Sequence, residues 1–158
     1  MSRLAVEFRA WREGDAEDLG ARLRQQDVDE LLAGGHTDMV AVLRQSLAQS
    51  EWALAVEQGG KLVALFGLAS GGTVLVPFGV PWMLGSDEVA TGGRVLVAQT
   101  ARYISAMLRR YDRLFNCVHA RNTVAIGWLR HVGFRIGKPF PHPKTGELFH
   151  PFEMTDNV

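Results

Sequence analysis

The chain contains 158 residues, of which 47% are apolar, and its 17 basic residues balance 17 acidic ones. This length predicts a single domain over residues 1–158, with enough apolar side chains for a sizeable core. The balanced charge argues against a general nucleic-acid or membrane-surface binder, and the first residues do not resemble a secretory signal.

The first third of the chain predicts one strand followed by two helices. Residues 5–11 alternate between apolar and polar side chains, as an opening strand does. Asp15 is suited to cap a first helix, which the Gly34-Gly35 pair is expected to end. A second helix is predicted from about Thr37 to Gln49, because apolar side chains recur there at helical spacing.

Strand periodicity replaces helical periodicity in the middle of the chain. Residues 52–57 and 62–67 alternate, and the Gly-Gly pair between them predicts a β-hairpin turn. A further strand is expected within residues 80–84, whereas residues 73–77 fit either a short strand or a loop. The stretch 62–86 carries no charge, but its glycines and prolines favour strands and turns over a membrane helix.

A long helix and a strand are predicted next. The helix is expected to begin at about Asp87 or Thr91, and its apolar stripe extends to Tyr111. The strand is expected over Leu114–Ala120 because of its alternation and its β-branched and aromatic residues. It contains Cys117, the lone cysteine of the chain, which we expect to be a buried thiol in a reducing compartment.

A short helix with sequence signals at both of its ends follows that strand. Asn122 is a good N-cap for a helix over residues 123–132, because its side chain can accept a hydrogen bond from the first turn. Gly133 supplies the left-handed residue that ends such a helix, and Phe134 can fold back onto the last turn. The tail up to Met154 predicts two strands around a loop.

This strand-helix unit resembles the closing unit of the GCN5-related N-acetyltransferases (GNAT). The pattern of that family, Asn-x-x-Ala-x-x-x-Tyr-x-x-x-Gly-Phe, is matched at Asn122, Ala125, Gly133 and Phe134. More narrowly, residues 118–122 and 128–130 look like the acetyltransferase-like proteins of tailed bacteriophages, including the internal-virion-protein group.

The resemblance implies an α/β (α+β) fold, with a mixed, mostly antiparallel central sheet flanked by helices and a splayed pair of parallel strands at the cofactor site. It implies an acetyl-CoA-dependent N-acetyltransferase of phage or prophage origin. The acetyl group would pass by direct attack to an amine acceptor, for which a host protein is one candidate. The alternative is a catalytically inactive protein of the same fold that serves as a virion component or binds a host protein.

The resemblance also places the acetyl-CoA site. The strand before the long helix would offer backbone groups to the pantetheine at Trp82, Met83 and Leu84. The start of the long helix would hold the pyrophosphate, since a helix N-terminus presents unpaired amides; its residues are Thr91, Gly92, Gly93 and Arg94. Asn122 is either a ligand contact or purely a structural cap.

Two residues depart from the family pattern. Glu88 falls at the basic position of the phosphate loop, and Leu129 falls at the frequent tyrosine that protonates the departing thiolate. His119 is a candidate base, with a pKa suited to deprotonating an ammonium, or else a satisfied histidine on a strand. Glu57 is a second candidate, as a carboxylate near the expected cleft.

No metal site is predicted. His142 and His150 have no cysteine or carboxylate nearby at a recognised ligand spacing. The partners that the resemblance implies are acetyl-CoA and an amine acceptor, without nucleic acid or membrane, and the oligomeric state is open. The expected location is the cytoplasm of a bacterial host cell, with association with a virion as the alternative.

Overall fold

The computed structural model describes residues 5–156, apart from the side chains of residues 90–94. The elements in chain order are β1 (Val6–Ala10), α1 (Asp15–Gly20), α2 (Gln25–Ala33), α3 (Met39–Gln49), β2 (Ser50–Gln58), β3 (Lys61–Gly72), β4 (Pro77–Gly85), a 3₁₀ helix (Asp87–Gly92), α4 (Gly93–Arg110), β5 (Arg113–His119), α5 (Thr123–His131), β6 (Arg135–Ile136), β7 (Phe140–Pro141) and β8 (Leu148–Thr155).

The described strands form one sheet in the order β1-β2-β3-β4-β5-β8-β6, and β7 pairs with β8. The pair β4 and β5 is parallel, whereas the other described pairs are antiparallel. The mixed, mostly antiparallel sheet predicted from the sequence is therefore confirmed. The parallel pair is joined at a single position, Gly79 with Leu114, and the two strands diverge beyond it.

Helices cover both faces of the sheet. Because side chains alternate along a strand, Leu65 and Phe66 of β3 point to opposite sides. Leu65 belongs to a core cluster with the leucines of α1 and α3, and Phe66 belongs to a cluster with Ile104 of α4 and Ile126 of α5. Residues 62–68 of β3 are thus buried on both faces, which explains why they carry no charge. Within residues 5–156, no helix is long and apolar enough to cross a membrane.

The helix predicted from Asp15 to the Gly34-Gly35 pair is in fact two helices, α1 and α2. Asp15 does not cap α1 as predicted, since the N-cap is Gly14 and makes no side-chain capping bond. Instead, the Asp15 carboxylate accepts a hydrogen bond from the Arg12 amide (2.8 Å) and pairs with Arg9 (2.9 Å). The side chain therefore ties the start of α1 to β1.

Two other predictions need adjustment. Residues 73–76 form the exposed turn between β3 and β4, where the Val76 amide donates to Thr73 Oγ1 (3.0 Å). The tail contains three strands rather than two, because β6 and β7 each pair with β8 over two residues. Strands of two residues are too short to show an alternating sequence pattern.

The caps predicted for α5 are confirmed. Asn122 Oδ1 accepts a hydrogen bond from the Ala125 amide (3.2 Å) at the first turn. Gly133 has a φ of 108°. The Phe134 amide donates to the Leu129 carbonyl (2.9 Å), which closes the last turn.

Replacing Gly127 with alanine is expected to raise the free energy of unfolding by about 0.5–1 kcal/mol. Gly127 lies inside α5, and a β-carbon there would meet no atom within 4 Å. Alanine has less backbone freedom to lose on folding, so urea denaturation should show a higher midpoint. Gly133→Ala is the matched control, because its positive φ should make the same change destabilising. A lower midpoint for Gly127→Ala would contradict the expectation.

Candidate functional site

A cavity of about 480 Å³ opens where β4 and β5 diverge. On one face of the sheet it is lined by Leu31 of α2 and Ser46 of α3, and on the other by Thr100 of α4 and Trp128 of α5. Because its walls come from both faces, the cavity passes between the two strands. It could therefore admit one ligand from each side of the sheet.

The walls of this gap are formed by Trp82, Met83 and Leu84 of β4 and by Asn116, Cys117 and Val118 of β5. At its base, Asn116 Nδ2 donates a hydrogen bond to the Pro81 carbonyl (2.9 Å). The Pro81 carbonyl therefore points away from β3. At the far end of β4, the Gly85 amide points the same way, toward α2. Backbone groups two residues apart point the same way along a strand. The amide and carbonyl of Met83 consequently face the gap.

Two carboxylates of α2 tie the diverging strands together. Asp27 Oδ2 accepts a hydrogen bond from the Gly85 amide (2.9 Å) at the end of β4. Glu30 Oε1 accepts one from the His119 amide (2.7 Å) at the end of β5. Asn122 Nδ2 lies 3.4 Å from an oxygen of each carboxylate. Since the two residues are three apart on a helix, their side chains lie on the same face.

Glu30 lines the cavity and has an unusual electrostatic environment. Burial raises the pKa of its carboxyl group from 4.5 to about 7, and the nearby charge of Asp27 acts in the same direction. The His119 amide, Asn122 and Arg24 oppose this rise by stabilising the ionised form. Near neutral pH, Glu30 is therefore present in both protonation states, as a group that exchanges protons must be.

No sequence pattern points to Glu30. The apolar residues of this segment predict the inner side of a helix, and the carboxylates between them form no recognised motif. The available signal was weak, namely two acidic residues three apart beside a buried stripe. Their partners lie far along the chain, since Glu30 and His119 are separated by 89 positions.

No protein-family model and no curated protein sequence matches this chain. Solved structures match it along nearly its full length. An acetyltransferase of the GNAT family from Bacillus anthracis has a TM-score of 0.70 at 11% identity, covering 98% of this chain and 97% of that chain. The chain has the GNAT fold.

Two further solved structures with this fold are acetyltransferases whose names state an acceptor. Spermidine N-acetyltransferase from Vibrio cholerae, in complex with CoA and spermine, has a TM-score of 0.66 at 12% identity, covering 95% of each chain. Aminoglycoside N(6')acetyltransferase from Legionella pneumophila has a TM-score of 0.67 at 12% identity, covering 98% of this chain and 94% of that chain. At such identities the GNAT fold is shared, and activity must be argued from the site.

The two predicted catalytic residues both lie outside the lining of the cavity. The His119 ring is buried, and its Nε2 is 3.3 Å from Glu147 Oε2 in a second, more polar pocket. Glu57 of β2 accepts a hydrogen bond from Arg9 Nε (2.6 Å) on β1. Both side chains have partners that account for their positions.

The predicted cofactor residues fall into three groups. Trp82, Met83 and Leu84 all line the cavity, and their contact with a cofactor stays a prediction. Asn122 is buried, caps α5 and lines the second pocket. The remaining residues lie where the 3₁₀ helix meets α4, and their side chains are outside the described part of the structure: Thr91, Gly92, Gly93 and Arg94.

The two departures from the family pattern have different structural consequences. Glu88 forms an ion pair with Lys61 (2.7 Å), which holds the pKa of this carboxyl group at about 2. The Lys61 charge thus offsets the repulsion that an anionic ligand would meet at Glu88. Leu129, which the resemblance places at the family tyrosine, lines the cavity, and its side chain cannot donate a proton.

The thiol of Cys117 also lines the cavity. Burial, together with the negative charge of Glu30, raises its pKa above the ordinary value. A thiol with a raised pKa is protonated at neutral pH, and the protonated form is not the nucleophilic one. Cys117 is therefore not an activated nucleophile in this cavity.

Proposed function

We propose that this protein is an acetyl-CoA-dependent N-acetyltransferase, in which an amine attacks the thioester carbonyl directly. The observation that carries the proposal is the cavity between β4 and β5. It is lined by helices from both faces of the sheet. A donor entering from the α4 and α5 face and an acceptor entering from the α2 and α3 face would meet between the strands. Bringing two reactants together in this way is itself a large part of such catalysis.

The α4 and α5 face suits the donor. Met83 directs its backbone amide and carbonyl into the gap, where an amide-containing pantetheine could continue the hydrogen bonding of the sheet. The pyrophosphate is expected where the 3₁₀ helix leads into α4, because the N-terminal end of a helix favours an anion. Leu96 and Thr100, in the following turns, line the cavity and continue this wall toward the strands. A Met83 amide within reach of the thioester oxygen would also stabilise the negative charge that develops there.

The phage or prophage origin rests on sequence resemblance alone. It depends on residues 118–122 and 128–130, and the solved structures described above come from bacteria. A host-protein amine is retained as one candidate acceptor on the same ground. A virion role for an inactive protein remains the competing hypothesis, with the leucine at position 129 in its favour.

Titration calorimetry with acetyl-CoA tests the proposal. Wild-type protein is expected to bind with micromolar affinity, and Ala125→Phe is expected to lose at least about tenfold in affinity, or about 1.4 kcal/mol. Ala125 lines the cavity on α5, so a larger side chain must enter the space proposed for the donor. The matched control is Val124→Phe, because Val124 is exposed on the same helix and does not line the cavity.

Folding of each variant is checked by its thermal unfolding transition. Thr100→Phe blocks the same wall from α4 and serves if Ala125→Phe does not fold. Absence of binding at millimolar acetyl-CoA by folded wild-type protein would overturn the enzyme proposal. It would favour the hypothesis that the fold is retained for contact with another protein.

A further inference from the structure

One carboxylate lines the cavity that the proposed function requires. Among the described residues that line it, Glu30 is the only acidic side chain. It reaches the cavity from α2, on the face opposite α4 and α5. An amine approaching from that face would meet Glu30 beside the diverging strands.

The Glu30 carboxylate is held in a defined position. The amide of His119 donates to Oε1 at 2.7 Å, and Asn122 Nδ2 lies 3.4 Å from the same oxygen. A carboxylate has two oxygens and can accept a proton while one of them is held by such donors. The two contacts anchor Glu30 to the end of β5 and to the cap of α5. The group is therefore fixed in the way that a catalytic base needs.

The remaining wall on this face is mostly apolar. It includes Leu31, Trp82, Phe140 and Phe149. Arg24 also lines the cavity and is paired with Asp27, so ionised Glu30 leaves one net negative charge on this face, which matches a single ammonium group. This wall fits an apolar body that carries a single ammonium group, and it does not fit a polyamine or an aminoglycoside.

We propose that Glu30 is the general base for an acceptor of this class, a primary amine on an apolar body with one positive charge. The inference rests on the proposed function and names the base and the acceptor chemistry of the same site. The ammonium of the acceptor transfers one proton to the Glu30 carboxylate. The nitrogen lone pair then forms a bond to the thioester carbonyl carbon.

The rest of the reaction balances without another protein group. When the tetrahedral adduct collapses, the carbon-sulfur bond breaks and the electron pair leaves with sulfur. The second proton lost by nitrogen passes to the thiolate, which gives the free thiol of CoA. The proton on Glu30 is released to solvent. No acid from the protein is needed at position 129, where the leucine cannot supply one.

Other groups near Glu30 affect its protonation without replacing it. Asp27 on the same helix raises its pKa and Arg24 lowers it, while the Cys117 thiol faces it from β5. His36 and His142 line the same cavity. The pH dependence of the wild-type enzyme must therefore be compared with that of a Glu30 variant before any step is assigned.

The test uses 2-phenylethylamine and spermine as acceptors, with release of the CoA thiol as the measured signal. Glu30→Gln is expected to lower kcat/KM for phenylethylamine at pH 7 by about 10²–10⁴-fold, because general-base catalysis is lost. The affinity for acetyl-CoA is expected to stay within about threefold of wild type, since Glu30 lies on the opposite face. Asp29→Asn is the matched control, an exposed carboxylate on the same helix that does not line this cavity.

The pH profile separates a base from a structural residue. In wild type, kcat/KM is expected to rise through a pKa of about 7, and this limb should disappear in Glu30→Gln. A variant that binds acetyl-CoA and keeps the wild-type rate and limb would overturn the role of Glu30 and leave the proposed function intact. Faster turnover of spermine than of phenylethylamine, or turnover of neither by protein that binds acetyl-CoA, would overturn the acceptor class. Loss of acetyl-CoA binding in wild type would instead overturn the proposed function.

Discussion

Replacing Asp27 with alanine is expected to lower the free energy of unfolding by about 3–5 kcal/mol. The residue is 1% exposed, accepts the Gly85 amide and lies 3.0 Å from Arg24 Nε. Removing the carboxylate would leave the amide without its acceptor and the largely buried guanidinium without its counter-charge. The Gly85 amide would carry the penalty of a buried polar group without a partner, and the lost ion pair with Arg24 adds to it. Urea denaturation at pH 7 measures the change.

Two further variants show whether the effect belongs to this carboxylate. Asp29→Ala removes an exposed carboxylate from the same helix and should change the stability by less than about 0.5 kcal/mol. Asp27→Asn retains an acceptor for the Gly85 amide but loses the charge opposite Arg24, so its effect should lie between the other two. A loss of less than about 1 kcal/mol for Asp27→Ala would show that the Asp27 carboxylate contributes little to holding the end of β4.

The local elements of the fold were predictable because their signals are local. The strands of the first hairpin alternate in sequence, and Asn122 and Gly133 mark the ends of α5 by side-chain capping and a positive φ. Hydrogen bonds between neighbours determine such features. A sequence pattern of about ten residues therefore contains the information that decides them.

The break between α1 and α2 was not predictable in this way. Apolar residues continue through the segment at spacings that fit one helix. The helix is interrupted because the Arg24 amide donates to the Gly85 carbonyl (3.0 Å), and the Arg24 backbone is extended with a ψ of 150°. This bond joins residues 61 positions apart. Tertiary contact overrides helical propensity here, and no local pattern records it.

In the candidate site, too, some residues were predictable from the sequence, whereas others depend on tertiary packing. The resemblance pointed to three residues of β4 as cofactor contacts, and the structure shows that they line the gap. Glu30 was missed because its position depends on the packing of α2 against the end of β5. His119 was preferred for its chemistry, yet the ring faces Glu147 in the second pocket. Residue type alone did not reveal which side of β5 each group occupies.

Glu30→Gln is expected to stabilise the protein at pH 8 by up to about 3 kcal/mol and to have little effect at pH 4. Burial raises the pKa of this carboxyl group from 4.5 to about 7 in the folded protein. Between these values the folded state keeps a proton that the unfolded state has lost. The stability contributed by protonated Glu30 is thus fully present below about pH 4.5 and is lost as the pH rises through about 7. Glutamine does not titrate, so the variant should lack this decline.

The measurement is urea denaturation of both proteins at pH 4, 6 and 8, with Asp29→Asn as the control for removing a negative charge from α2. The Gln side chain can still accept the His119 amide through its carbonyl oxygen, so the contact to β5 is retained. A variant that is less stable than wild type at pH 8 would contradict the raised pKa. The stabilised variant should also be the slower enzyme, because the ionised carboxylate that lowers stability at neutral pH is the form that accepts a proton from the amine. Opposite changes in stability and rate from one substitution would distinguish a strained catalytic base from a residue that only supports the fold.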